Sequence, residues 1–225
     1  MEEIIKKNIN AVFSEIKNGN NFGEEITVVG ASKFVEDNVI RLALKNGLKI
    51  LGDNKVQEFR DKTSLIDGAE YHFIGRLQTN KVKYLIGKVS LIQSVDSIRL
   101  ASEISRLSTK NNVTTNVLLE VNPFKEESKG GFLLDEVELA IKEIADMPNV
   151  TVKGLMAMLP DTDNEDLLVA LCDKTRALYD KLKNDGYPFT YLSMGMSGDY
   201  KLTIKHGANM IRLGTILFGA RDYTK

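Results

Sequence analysis

The sequence predicts an α/β fold, closed as a TIM-type (β/α)8 barrel with one extra helix at its N-terminus. Three observations carry that expectation. Eight short β-branched or apolar runs recur along the chain, longer amphipathic stretches alternate with them, and no Pro/Gly/Ser-rich linker interrupts the alternation. A length of 225 residues lies within the range in which one barrel makes one core, so a single domain over 1–225 is expected. A doubly wound open sheet is the competing arrangement.

The first element is helical. Residues 1–19 mix Glu2, Glu3, Lys6, Lys7, Glu15 and Lys17 with apolar residues at helical spacing, unlike the unbroken apolar region of a signal peptide. Strands are expected at 27–32, 49–52, 71–75, 91–95, 115–121, 151–156, 190–194 and 210–214, where apolar and β-branched residues cluster between turn formers. Helices are expected over 54–65, 97–110, 134–147, 163–184 and 197–206, with Asp135 and Asp163 as caps or first-turn acids.

Composition excludes several classes. Thirty basic residues against 31 acidic ones leave a formal charge of −1, so no overall field draws the chain to nucleic acid or anionic lipid. One cysteine, Cys172, rules out an intramolecular disulfide framework, and with only His72 and His206 a structural zinc site lacks soft ligands. No run approaches transmembrane length. A reducing cytoplasm is the expected compartment.

Barrel enzymes and binders carry their reactive residues at the C-terminal strand ends. Lys33 follows the first expected strand, in Val28-Val29-Gly30-Ala31-Ser32-Lys33, where a lysine amine can form a Schiff base if it is neutral. Asp53, Asn54, Lys55, Gln57 and Glu58 follow the second, Arg76, Gln78, Asn80 and Lys81 the third, and Asp96 and Ser97 the fourth. Asn122 and the charged loop from Lys125 to Lys129 follow the fifth, and the sixth ends in Met156-Ala157-Met158. The seventh runs into Ser193-Met194-Gly195-Met196-Ser197-Gly198 and the eighth into Arg212-Leu213-Gly214-Thr215. Small residues there let backbone N–H groups approach an anion, and a helix beginning near Ser197 would add free donors and the positive end of its dipole. Service in tight turns alone is the competing reading of Gly195, Gly198 and Gly214. Neither G-x-x-x-x-G-K-[ST] nor a strand-following G-x-G-x-x-G occurs, so nucleotide binding has little support. A lysine, a phosphate cradle and Arg212 together point to an aldehyde-bearing phosphorylated cofactor, most economically pyridoxal 5′-phosphate (PLP).

The motifs Val-Gly-Ala-Ser-Lys33, Gly52-Asp53-Asn54-Lys55-Val56-Gln57-Glu58, His72-Phe73-Ile74-Gly75-Arg76-Leu77-Gln78-Thr79-Asn80-Lys81, Ser94-Val95-Asp96-Ser97, Ser193-Met194-Gly195-Met196-Ser197 and Arg212-Leu213-Gly214-Thr215 resemble the pyridoxal phosphate homeostasis protein family, in order from about residue 27 to Gly219. The resemblance implies a barrel related to the cofactor-binding domain of alanine racemase, with PLP held as a Schiff base on Lys33. It further implies that Ser197, Gly214 and Thr215 hold the phosphate, that Arg212 faces the pyridine nitrogen, and that Asn54, Met156 and Ser193 line the ring pocket. Two departures stand out. Many relatives show Gly-Glu-Asn where this chain has Gly52-Asp53-Asn54, and Val35 stands where a second lysine often follows the first by two positions. Lys81 and Lys129 remain candidates for secondary cofactor contact beside an ordinary surface role.

His72, His206 and Cys172 are expected to be structural, and Met156, Met158, Met194 and Met196 to fill space, with only Met156 carrying family support. Two functions follow from the resemblance. One is a barely catalytic or non-catalytic PLP binder serving vitamin B6 and, indirectly, amino-acid balance, with PLP-dependent apo-enzymes as recipients. The other is a PLP-dependent amino-acid racemase. Racemisation needs a base on each face of the substrate, which the racemase takes from a C-terminal domain; this chain ends at Lys225, soon after its eighth expected strand, so the binder is expected. A lyase or aldolase using Lys33 is a distant third.

Overall fold

The structure is a computed structural model, which describes residues 1–126 and 130–219. Its elements run α1 (Glu2–Ile16), β1 (Thr27–Ala31), α2 (Asp37–Lys45), β2 (Ile50–Asp53), α3 (Val56–Thr63), β3 (Glu70–Phe73), a 3-10 helix (Thr79–Tyr84), β4 (Leu91–Val95), α4 (Ile98–Lys110), β5 (Thr115–Val121), α5 (Val137–Ala145), β6 (Val150–Ala157), α6 (Glu165–Asn184), β7 (Tyr191–Ser193), α7 (Tyr200–Lys205), β8 (Met210–Leu213) and α8 (Thr215–Phe218). The eight strands pair in parallel and in sequence order, and β8 returns to β1 with Val29 opposite Arg212. The sheet therefore closes, and the open-sheet alternative falls.

Two apolar layers hold the barrel. Outside, one face of each surrounding helix packs on the sheet; α1, for example, buries Ile5, Ile9, Val12 and Ile16 at spacings of three and four. Inside, Val29, Leu91, Leu118, Met156 and Met210 fill the lumen, so the barrel is a packed core rather than a pore. Gly154, at φ +144°, lets β6 and β7 close, because a Cβ there would sit 1.8 Å from the Tyr191 carbonyl oxygen.

Three local expectations are corrected. Asn164, not Asp163, caps α6, its side chain accepting from the Leu167 N–H at 3.0 Å. Asp135 does not cap α5 either: Glu136 occupies the cap position and accepts from the Leu133 N–H at 2.9 Å. The helix after β7 starts at Tyr200 rather than Ser197, because Asp199 ties the Met196 N–H at 2.6 Å and makes 196–199 a turn.

Candidate functional site

β1 and β2 build one side of the rim. Ser32 follows β1 and Asp53 ends β2, both with no exposed surface, and Lys62 reaches them from α3. The Lys62 ammonium donates to the Ser32 carbonyl at 2.7 Å, to Ser32 Oγ at 3.2 Å and to Asp53 Oδ1 at 2.8 Å, using all three of its protons. Ser32 Oγ itself donates to Asp53 Oδ1 at 2.9 Å, while Asp53 Oδ2 is buried without a partner. This cluster fixes the backbone immediately before Lys33.

Lys33 follows as a half-buried side chain. Among the described residues no hydrogen bond or ion pair engages its amine, whose contact is the face of Phe34, 4.9 Å from the ring centroid. Phe34 takes a left-handed φ of 58°, uncommon for a non-glycine residue, and so turns the chain sharply at the rim.

The opposite side comes from β7 and β8. Arg212 is 4% exposed, and its guanidinium donates to the Ser193 carbonyl at 2.9 Å, Ser193 Oγ at 2.7 Å and the Ala157 carbonyl at 2.9 Å. Burial lowers its pKa to about 10, against the pull of Asp199 and Glu120, so it remains a cation surrounded by neutral acceptors. The Gly214 and Ile216 N–H groups converge on Ser197 Oγ at 3.3 and 3.4 Å, longer than the usual 2.9–3.0 Å of an N–H···O bond. Thr215 lies between them at the start of α8. The turn that presents Ser197 requires Gly195, at φ +97°, where a Cβ would meet Thr203 Oγ1 at 2.2 Å.

Met156 and Ser193 are paired neighbours on β6 and β7, 1% and 0% exposed. Asn54 follows β2 on the rim, with its carbonyl oxygen so close to Gly75 that a Cβ there would approach to 2.1 Å. The positions singled out at strand ends thus gather on one end of the barrel.

Below them a polar column crosses the lumen. Arg212 can only donate, so Ser193 Oγ accepts from it and passes its own proton to Gln93 Oε1 at 2.7 Å. Gln93 Nε2 then donates to His72 Nδ1 at 2.9 Å, which places the ring proton on Nε2, 3.3 Å from Glu70 Oε1. The hydrogen bond from His72 holds the Glu70 carboxyl down at about 2 despite partial burial. His72 is therefore structural, as its place in a strand suggests. His206 caps α7 and pairs with Asp173 at 2.7 Å. Cys172 is fully buried, its thiol pushed up to about 12 chiefly by burial.

The four methionines separate: Met156 lies in the lumen, Met194 in the outer core, Met196 is 39% exposed, and Met158 offers its sulfur to Arg212 at 3.4 Å. Lys81 is exposed beside Tyr84, whereas Lys129 lies outside the described residues. Lys62, Gln93 and Glu120 are site residues that sequence reasoning missed. Glu120 projects from β5 beside Met156, and burial raises its carboxyl, reinforced by Asp96 and opposed by Arg212 and Arg76.

Comparison with known proteins assigns the chain to a family. The chain is 45% identical over 199 residues, 87% of each chain, to a pyridoxal phosphate homeostasis protein of Aquifex aeolicus, and 33% identical over 208 residues to one of Escherichia coli K12, covering 90% of this chain and 88% of that one. The chain belongs to the pyridoxal phosphate homeostasis protein family. Residues 36–222 also match the family model of the alanine racemase N-terminal domain, a range that begins three residues after Lys33. Among solved structures, PipY of Synechococcus elongatus PCC7942 with PLP bound superposes with a TM-score of 0.84 at 27% identity, covering 96% of this chain and 100% of that one. Alanine racemase of Clostridium difficile 630 shares the fold at TM-score 0.83 and 15% identity, this chain covering 58% of its length.

Proposed function

We propose that this chain, as one barrel domain over 1–225, binds PLP covalently through Lys33 and holds it for vitamin B6 homeostasis, with little or no catalysis. The observation that carries the reading is the pairing of an unengaged Lys33 amine with the N–H groups of Gly214 and Ile216 across the β1–β8 seam. The donor set suits such a group. Two N–H donors held only by long bonds to one hydroxyl can turn to a phosphate oxygen, and Arg212 offers a cation with no carboxylate bonded to it. When bound, the cofactor supplies an aldehyde that a primary amine captures.

Each residue then has a task. Lys33 attaches the group; Ser197, Gly214 and Thr215 hold the phosphate; Asn54, Met156 and Ser193 line the ring pocket; Arg212 faces the pyridine nitrogen. A guanidinium at that nitrogen disfavours its protonation and so weakens the electron sink that carbanion chemistry uses. A second acid–base residue has poor support as well. The Tyr71 hydroxyl donates to the Ile66 carbonyl at 3.0 Å, away from the rim, with its pKa raised by burial to about 12, and Tyr191 starts β7 at the far end of the barrel. Racemisation is accordingly disfavoured. Transfer to PLP-dependent apo-enzymes in a reducing cytoplasm, and through them an effect on amino-acid balance, completes the proposal.

The test combines a spectrum with a chiral assay. Addition of PLP is expected to give a visible absorbance band that borohydride abolishes, and the loaded protein is expected to racemise alanine or serine negligibly. A protein that stays colourless would overturn the binding assignment. Turnover at roughly 1 s⁻¹ or faster, the ordinary enzymatic range, would overturn the non-catalytic one.

Within the cradle, Ser197→Ala combined with Thr215→Ala is expected to weaken cofactor retention at least tenfold, since a hydrogen bond to a charged group contributes about 1.5–3 kcal/mol. Dialysis of the loaded double variant checks this. Retention equal to that of the parent would remove these residues from the phosphate site.

A further inference from the structure

Beside the Lys33 rim, between α3 and the 3-10 helix, lies a separate cavity of about 280 Å3 that none of the assigned cofactor contacts except Asn54 lines. Its wall carries Lys55, Arg60, Arg76 and Lys81, with the ring of Tyr84 and no carboxylate among its described lining residues. Lys55 is compensated by Glu58, 3.6 Å away. Among the described residues Arg60, Arg76 and Lys81 have no carboxylate within ion-pair distance. Arg60 lies 4.7 Å and Lys81 5.9 Å from the Tyr84 ring centroid, so both charges gather around one aromatic ring. Like charges converging on one concavity repel, and an anion in it relieves that repulsion. Stacking on the ring also leaves the guanidinium edge of Arg60 free to form paired bonds to an oxyanion.

We propose that this cavity is a second binding site, for a small phosphomonoester. Its volume of about 280 Å3, just below the roughly 300–1,000 Å3 of small-molecule pockets, suits a ligand with one ring or less rather than a nucleotide. Arg60 and Lys81, joined by Arg76, whose charge also acts on Glu120, match a dianion better than a monocarboxylate. The site adjoins the rim through Phe34, whose ring contacts Lys55 Nζ at 4.8 Å as well as Lys33 Nζ at 4.9 Å. An anion held here therefore waits at the entrance to Lys33.

Phenyl phosphate is the probe, titrated calorimetrically at low salt into protein whose cofactor has been fixed by borohydride reduction. One saturable equivalent is expected to bind. Arg76→Gln should weaken it at least tenfold, while Lys83→Gln, which removes an equal charge 5.1 Å from the same ring but outside the cavity, should change it less than twofold. Absence of saturable binding to the reduced protein, insensitivity to Arg76→Gln, or an equal loss in Lys83→Gln would each overturn the site. The cofactor assignment fails separately. A protein that takes up no PLP but binds phenyl phosphate with the same dependence on Arg76 keeps this cavity and loses only the Lys33 reading.

Discussion

A Lys33→Ala protein is expected to retain no borohydride-fixable cofactor while keeping its fold. Lys33 stands past the end of β1, half-buried and without a hydrogen bond or ion pair among the described residues, so its removal leaves no buried group unsatisfied. Substitutions at such positions usually change stability by no more than about 0.5 kcal/mol, which for a chain of this size shifts the melting temperature by roughly 2 °C or less. The covalent link, in contrast, should vanish. Peptide mapping of reduced parent protein checks the same claim from the other side, with the label expected on Lys33. A label on Lys55, Lys62 or Lys81 with Lys33 unmodified would overturn the assignment.

Lys62→Met is expected to produce the largest loss of stability, about 3–5 kcal/mol, the usual cost of removing one partner from a buried ion pair. Asp53 has no exposed surface, and one of its oxygens already lacks a partner, so without the ammonium its charge would rest on the Ser32 hydroxyl alone. The Ser32 carbonyl would lose its tether as well, and the Lys33 backbone would be set less firmly. Urea midpoints report the first effect and cofactor retention the second. Adding Asp53→Asn should recover part of the stability, because a neutral amide costs less to bury than an unpaired carboxylate. A Lys62→Met protein within about 1 kcal/mol of the parent would show that the cluster is not a fixed element of the rim.

The barrel was legible because closed parallel strands are apolar on both faces and turn polar only where they emerge, which marks β1 to β8 within one or two residues. Short helices were not. Thr79–Tyr84 and Thr215–Phe218 span too few turns for a hydrophobic period to stand out, whereas Asp37–Lys45, as long as α5 and burying Val39, Ile40 and Ala43, was simply not read. Lys33, Arg212, Ser197 and Gly214 could be picked out because the strand pattern itself assigns them to one end. Lys62 could not, since a lysine in an amphipathic helix reads as solvent-facing; its spacing of three from buried Phe59 was the one available signal. Gln93 and Glu120 were hidden for a related reason. β4 is buried at every position and β5 at all but two, so alternation cannot tell the lumen from the outer core there. Only closure of the sheet reveals which residues face the axis.

The column from Arg212 to Glu70 has a consequence for long-range electrostatics. Its hydrogen bonds all run one way, from a cation at the rim to a carboxylate that stays ionised down to about pH 2 at the opposite end. Arg212, which can only donate, sets the direction of the first link. The lumen is thus permanently polarised along its axis, positive toward the open end. A chain with a formal charge of only −1 and no attraction for anions as a whole still presents, at one pole, a fixed field that draws them in.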